Sequence, residues 1–219
     1  MELLEGIKTR KSYRAFKPTP VPKEMIEKVL EAAGRSPSYT NTQPWHVAVV
    51  SGKKRDDLSR ILLELSGADT PSNPDLPMPG DWPPELEKRA AEHGARRFKA
   101  LGVEREDKAA RKELRLANFR FYGAPCALFL FADRTATSWS IFDMGLFAQS
   151  LSLAAHSFGL GSCLQGALAN YPDAVREFLG LPRTKLLVIG MSMGYPDFAA
   201  PINTYQSTRV NLSDFVQWV

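Results

Sequence analysis

The chain has 219 residues, 44% of them hydrophobic, enough for a sizeable core in one domain that buries roughly 70% of the unfolded surface. The opening residues Met1 to Lys8 lack a basic region followed by an apolar run, and no later stretch approaches the ~18 uncharged apolar residues of a membrane span, so a soluble, unsecreted, cytoplasmic protein is expected. Its 28 Lys and Arg exceed its 24 Asp and Glu by +4, and eleven cations against seven acids between Glu85 and Arg120 can account for that excess. Their mixed signs, as in Glu104-Arg105-Glu106-Asp107-Lys108, suit a solvated helix face better than a nucleic-acid footprint.

A helix is expected up to about Thr9, followed by Arg10-Lys11-Ser12-Tyr13-Arg14-Ala15-Phe16 and a proline-punctuated turn from Lys17 to Pro22. Pro22 suits a helix start, Met25, Ile26, Val29, Leu30 and Ala33 recur at the spacing of one buried face, and Gly34 can end that second helix. The polar loop Arg35 to Pro44 then runs into a strand from Trp45 to Val50. Six prolines between Gly67 and Pro84 exclude a regular element there and predict an ordered surface excursion leading into a charged helical segment, Glu85 to Leu116. Cys126 to Ala132 reads as a buried strand and Lys185 to Met193 as a last one, with a tail to Val219. Between them Ser140 to Phe158 is a long helix apolar nearly all round, which must be central to the fold or to a subunit interface. The pattern is α+β or three-layer.

Two cysteines, Cys126 and Cys163, sit far apart in apolar company and are expected to be reduced and buried. His46, His93 and His156 match no metal-ligand spacing and are expected to be structural, so no metal site is assigned. No Gly-x-Gly-x-x-Gly follows a strand, so tight dinucleotide binding of the Rossmann kind is not indicated. Between Thr9 and Arg14, by contrast, Arg10, Lys11, Ser12 and Arg14 put three cations and a hydroxyl just after a helix, a plausible cradle for a phosphate. Ser38, Thr40, Asn41 and Gln43 add donors and acceptors that suit the pyrimidine edge and ribityl hydroxyls of a flavin. Taken singly, each segment also fits a plain solvated surface or a polar turn.

Together, the run from Arg10 to Phe16, Val21-Pro22 with its helix, and Ser36-Pro37-Ser38-Tyr39-Thr40-Asn41-Thr42-Gln43-Pro44-Trp45 closely resemble the opening of the FMN-dependent nitroreductase family. A second block agrees: Asp143 to Gln149, Leu153-Ala154-Ala155-His156 and the glycine turn Gly159-Leu160-Gly161-Ser162-Cys163, as does the tail Ser207-Thr208-Arg209 with Leu212 and Phe215. The resemblance spans most of the chain except about Ser66 to Leu116. It implies a three-layer α/β/α sandwich with a mostly antiparallel central sheet, in an intertwined homodimer whose FMN sites lie at the subunit interface. It also implies that Arg10 and Arg209 meet the phosphate, with Ser12 and Lys11 in support, and that Arg14 approaches the pyrimidine edge. Pro37, Ser38, Asn41 and Gln43 would come from the partner chain, and Gln165 and Gly166 would offer a backbone N–H to the reactive ring nitrogen. Many relatives carry an acidic residue in place of Gln165, and some a lysine in place of Ser207. Arg120 aligns roughly with a flavin-edge lysine of some relatives.

The activity so implied is ping-pong hydride transfer from NADH or NADPH, through tightly bound FMN, to a small electron-poor acceptor such as a nitroaromatic. Tyr39, Thr40, Phe121 and Tyr122 are candidates for a lid over the substrate. The 67–116 excursion is placed over the mouth of the site, where Arg96, Arg97, Arg111 and Arg115 would favour anionic aromatics such as nitrobenzoates. Quinone or flavin reduction or reductive dehalogenation on the same scaffold, a non-catalytic flavin-binding protein, and a basic nucleic-acid binder are the competing readings.

Overall fold

The computed structural model describes residues 2–104 and 106–219. In chain order its elements are α1 (Leu3–Thr9), α2 (Lys23–Ala33), β1 (His46–Ser51), α3 (Gly52–Gly67), α4 (Pro84–Ala100), α5 (Lys108–Leu116), β2 (Cys126–Asp133), α6 (Ser138–Ser157), β3 (Gly161–Gln165), α7 (Pro172–Leu179) and β4 (Lys185–Gly194). The strands form one sheet in the order β1-β2-β4-β3, each neighbouring pair antiparallel.

Strand β2 shows why the sheet needs cover on both sides. Side chains alternate across a strand, and here both sets are apolar. Ala127, Phe129 and Phe131 join Leu58 and Leu62 of α3 and Val175 of α7, whereas Cys126, Leu128, Leu130 and Ala132 join Ile26 and Val29 of α2 and Met144, Phe147 and Leu151 of α6. The result is the expected three-layer α/β/α arrangement. Both cysteines are free and buried, and burial pushes the Cys126 thiol up to about 12. Among the described residues no helix is long and apolar enough to cross a membrane.

Three elements go beyond the sequence expectations: α3, β3 and α7. In α3 the run Lys53-Lys54-Arg55-Asp56-Asp57 precedes the few residues, Leu58, Ser59, Leu62 and Ser66, that face the core. The stretch expected to be a glycine turn becomes β3 after a single left-handed Gly159. Gly161 is there because a Cβ would lie 2.7 Å from both the Tyr13 ring and Pro196. The charged segment is two helices rather than one, broken at Gly102 (φ +63°), with Asp107 accepting from the Ala110 N–H at 2.8 Å to start the second.

The proline-rich excursion holds no helix or strand between α3 and α4, as expected, and polar contacts fix it. Asn73 N–H donates to Asn170 O at 3.0 Å and Tyr171 Oη to Thr70 O at 3.3 Å. The Asp75 carboxylate accepts from Arg134 (2.9 Å), from the Leu187 N–H (2.8 Å) and from Arg176. The Asp75 and Arg176 side chains are only 6% and 4% exposed. Burial alone would raise the Asp75 pKa, but the hydrogen bonds from Arg176, Leu187 and Arg134 outweigh it and hold the carboxyl below its ordinary value. Removing one partner of such a pair leaves the other buried and uncompensated, so Asp75→Ala should cost about 3 kcal/mol in urea denaturation. Because the folded pKa is depressed, this stabilisation is complete above pH ~4 and lost as pH falls through the folded value. An Asp75→Ala variant whose urea midpoint falls with acid as steeply as the parent's would show that another carboxylate carries the acid sensitivity.

Candidate functional site

Residues 10–17 leave α1 as an extended strip along the free edge of β3. Tyr13 N–H donates to Ser162 O at 3.0 Å and Lys17 N–H to Tyr195 O at 2.9 Å. Bridges Ser12–Ser162 and Phe16–Pro196 mark the strip's ends. One buried amide, unmarked in the sequence, clamps it. Asn203 accepts the Arg14 N–H at 2.7 Å, donates to Ala15 O and to Asp197 O, each at 2.8 Å, and accepts Lys11 Nζ on its main-chain oxygen.

Beside this strip lies a cavity of about 400 Å³, lined by Arg10, Lys11, Ser12, Ser207 and Arg209 among others and by no carboxylate. The Arg10 pKa is lowered, first by burial and then by the charge of Arg209. Two facing guanidiniums without an acid attract an anion with several acceptor oxygens. Four predicted phosphate ligands are thus brought together. The ammonium of Lys11 is nonetheless turned to Asn203 O and lies 5.4 Å from the Tyr13 ring centroid, and Arg209 Nη1 donates to Ser207 O at 3.3 Å and Thr208 O at 2.9 Å.

Arg14 turns away from this cavity. Its charge is felt by Arg97, Tyr122, Cys163 and His93, and its Nε is buried with no hydrogen-bond partner. His93 bonds Tyr205 Oη through Nδ1 at 3.0 Å, and burial, then Arg97 and Arg14, lower its pKa. At the end of β3, Gln165 is buried with its side chain committed inward: its amide donates to Asn118 O at 3.0 Å, and its oxygen accepts from Ser192 Oγ. Only its backbone remains for a ligand. Gly166 opens a 3-10 turn to Ala169, so its N–H has no partner within that turn. Met78 of the excursion sits 3.8 Å from where a Gly166 Cβ would stand, a neighbour with no signal in the sequence.

The remaining predicted residues lie elsewhere. Around a 3-10 turn at Tyr39–Asn41, non-glycine residues Thr40, Asn41 and Gln43 have φ of 46°, 60° and 49°, a conformation that needs outside support. Ser38 Oγ accepts the Gln43 N–H at 2.9 Å, and both oxygens of buried Asp143 in α6 accept the Tyr39 N–H at 3.2 and 3.1 Å. Tyr39 itself stacks on Trp139. At the opposite end of α6, His156 Nε2 lies 2.9 Å from Thr9 Oγ1, and its pKa is lowered by burial and then by Arg10. From Asp143 to His156 is about 20 Å along a helix. One chain therefore holds Pro37, Ser38, Asn41 and Gln43 far from its own Arg10 and Arg209.

One expectation needs correction. Phe121 is fully buried and meets Phe129 edge to face at 6.2 Å, so it belongs to the core and cannot form a lid. Arg120 pairs with Glu113. Tyr122 is partly buried and donates to Asn118 Oδ1 at 2.8 Å, which leaves Tyr39 and Thr40 as the exposed pair. Of the four excursion arginines, Arg97, Arg111 and Arg115 line one cleft, and Arg96 pairs with Glu92 at 3.3 Å.

Known proteins share this fold. The model of the Nitroreductase family matches residues 7–195. Nitroreductase NfnB of Mycolicibacterium smegmatis is 41% identical over 209 residues, covering 95% of this chain and 88% of that protein. A 4-nitrobenzoate reductase of Pseudomonas putida is 32% identical over 97% of this chain and 93% of its own length. Among solved structures, the FMN-dependent nitroreductase NfnB from Mycobacterium smegmatis in complex with NADPH superposes with a TM-score of 0.95 at 37% identity, over 100% of both chains. The family match over residues 7–195 and the 41% identity over nearly the whole chain show that this chain belongs to the nitroreductase family.

Proposed function

We propose that the protein is an FMN-dependent oxidoreductase that takes hydride from NADPH and delivers it to a small electron-poor acceptor, a nitroaromatic first of all. The observation that carries this reading is the acid-free cavity between Arg10 and Arg209, which fits a flavin phosphate. The unpartnered Arg14 Nε fits a second acceptor on the same molecule, at the pyrimidine edge, where positive charge favours an electron-rich ring. FMN supplies the two-electron chemistry when bound. The chain's own work is to hold the phosphate through Arg10, Arg209 and Ser12, to present the Gln165 and Gly166 backbone beside the reactive edge, and to leave one face open. A donor and an acceptor that use that face in turn give ping-pong kinetics. The relative in complex with NADPH and the relatives named as nitroreductases and 4-nitrobenzoate reductase support the choice of donor and acceptor.

The site is completed, on this reading, by the 37–43 loop of a second copy, in one domain per chain with the 67–116 excursion at the site mouth. Two features support it. The α6 distance separates the two halves within one chain, and large apolar side chains stand exposed on α6 and on the tail: Trp139 and Phe142 at 59%, Phe215 at 66% and Trp218 at 84%. A patch of that kind marks a protein interface.

The first test is an anaerobic absorbance spectrum. Bound flavin should bleach on adding NADPH and recover on adding a nitroaromatic. A protein that stays colourless after incubation with FMN would overturn the reading, and flavin that neither NADPH nor NADH bleaches would reduce it to flavin binding. In Arg10→Ala, loss of a charge-assisted phosphate contact should weaken FMN binding about tenfold to hundredfold in fluorescence titration. Mixing Arg10→Ala with Asn41→Ala chains should restore about half the wild-type activity per mixed dimer, since one site then receives both intact residues. No recovery would place Arg10 and Asn41 in the same chain's site.

A further inference from the structure

Outside the flavin cavity the chain carries a second acid-free basic feature, an open cleft of about 490 Å³ between α4 and α5. Lys108, Arg111, Lys112 and Arg115 follow the i, i+3, i+4, i+7 spacing of one helix face, and Arg97 faces them from α4. Solvated helices ordinarily mix signs on such a face, and like charges at these spacings repel. Here Asp107 accepts the Ala110 N–H at 2.8 Å and Glu113 pairs with Arg120, so neither acid lines the cleft. The Phe98 ring holds two of the guanidiniums in place, Arg97 at 5.5 Å and Arg111 at 5.1 Å from its centroid.

The position of the cleft tells what it can bind. Its inner end is Asn118, which is bonded to Gln165 beside the flavin turn. From Arg115 the helix carries its cations outward to Lys108, about 10 Å further. A nitrobenzoate held with its nitro group at the flavin keeps its carboxylate within one ring of it, short of the outer lysines. A dinucleotide donor is long enough to extend along the cleft. A row of cations along one helix face suits a phosphate monoester, with a charge of about −1.5 to −2 and three acceptor oxygens, better than a carboxylate. We infer that the α4–α5 cleft recognises a phosphate monoester, the 2′-phosphate by which NADPH differs from NADH. This rests on the reductase reading above and adds the residues that select the donor.

The test uses the oxidised dinucleotides, which bind without turnover. Calorimetric titration of the FMN-loaded protein should give NADP+ at least about tenfold tighter than NAD+, in keeping with two or more charge-assisted contacts. Inorganic phosphate should compete with NADP+. Lys108 and Lys112 are exposed, so a Lys108→Ala/Lys112→Ala variant leaves the core intact, and it should bring the two affinities to within about twofold, as should Arg115→Ala. Equal affinities in the parent protein would overturn the assignment, as would a preference that survives in both variants. A parallel loss of NADP+ and NAD+ would point to their shared pyrophosphate and also overturn it. So would a defect confined to 4-nitrobenzoate relative to nitrobenzene, which would make the cleft an acceptor-carboxylate site. NADP+ discrimination in a protein whose flavin no nicotinamide reduces would sink the reductase reading and leave this one standing.

Discussion

The site depends on how residues 10–17 are laid along the edge of β3. Cations needed for an anion must be held close together without acids to neutralise them, so their mutual repulsion has to be offset by contacts that carry no charge. Asn203 does this with its side-chain amide and main-chain oxygen bonded to three residues of the strip, and the absent Gly161 side chain lets Tyr13 close against the strand. Neither residue touches the cavity. Both decide whether Arg10 points into it.

Helix α6 then acts as a ruler. Asp143 at one end fixes the strained 39–43 turn, and Thr9 and Arg10 meet His156 at the other. A rigid helix of this length keeps two polar assemblies apart in the same chain, while its exposed Trp139 and Phe142 leave apolar surface to be covered. On the proposed reading, a symmetric pairing in which each end of the helix faces the other's complement answers both the separation and the uncovered surface.

Much of this was legible beforehand. The second helix, with its Ile26, Val29 and Ala33 stripe, the apolar strand at 126–132, the proline-broken excursion and the clustering of Arg10, Lys11 and Ser12 all follow from local periodicity and chemistry. What escaped has physical reasons. The buried face of α3 rests on few residues after a highly charged first turn, so its period is faint. Helix α7 had a legible frame, Pro172 at its start and left-handed Gly180 at its end, but few residues between. Phe121 resembles an exposed aromatic because a left-handed turn surrounds it, yet its ring belongs to the core. Asn203, Asp143 and Asn118 act through contacts more than forty residues away in sequence, and no local pattern can announce such a contact.

The attachment of the variable segment differs in kind from that of the rest of the chain. Neither α4 nor α5 contributes a fully buried residue to the core; beside the partly buried Leu116, their place is set by polar anchors: Asp75 with Arg176, His93 with Tyr205 and Asn118 with Gln165. An element held by the core cannot change its exposed face without strain elsewhere, because packed interiors transmit volume changes. One held mainly at polar points can change the side chains between them at small cost to stability, provided the anchors stay. The basic face of α5 is therefore free to specialise for a ligand while the cavity beside Arg10, bound to the sheet edge, is not.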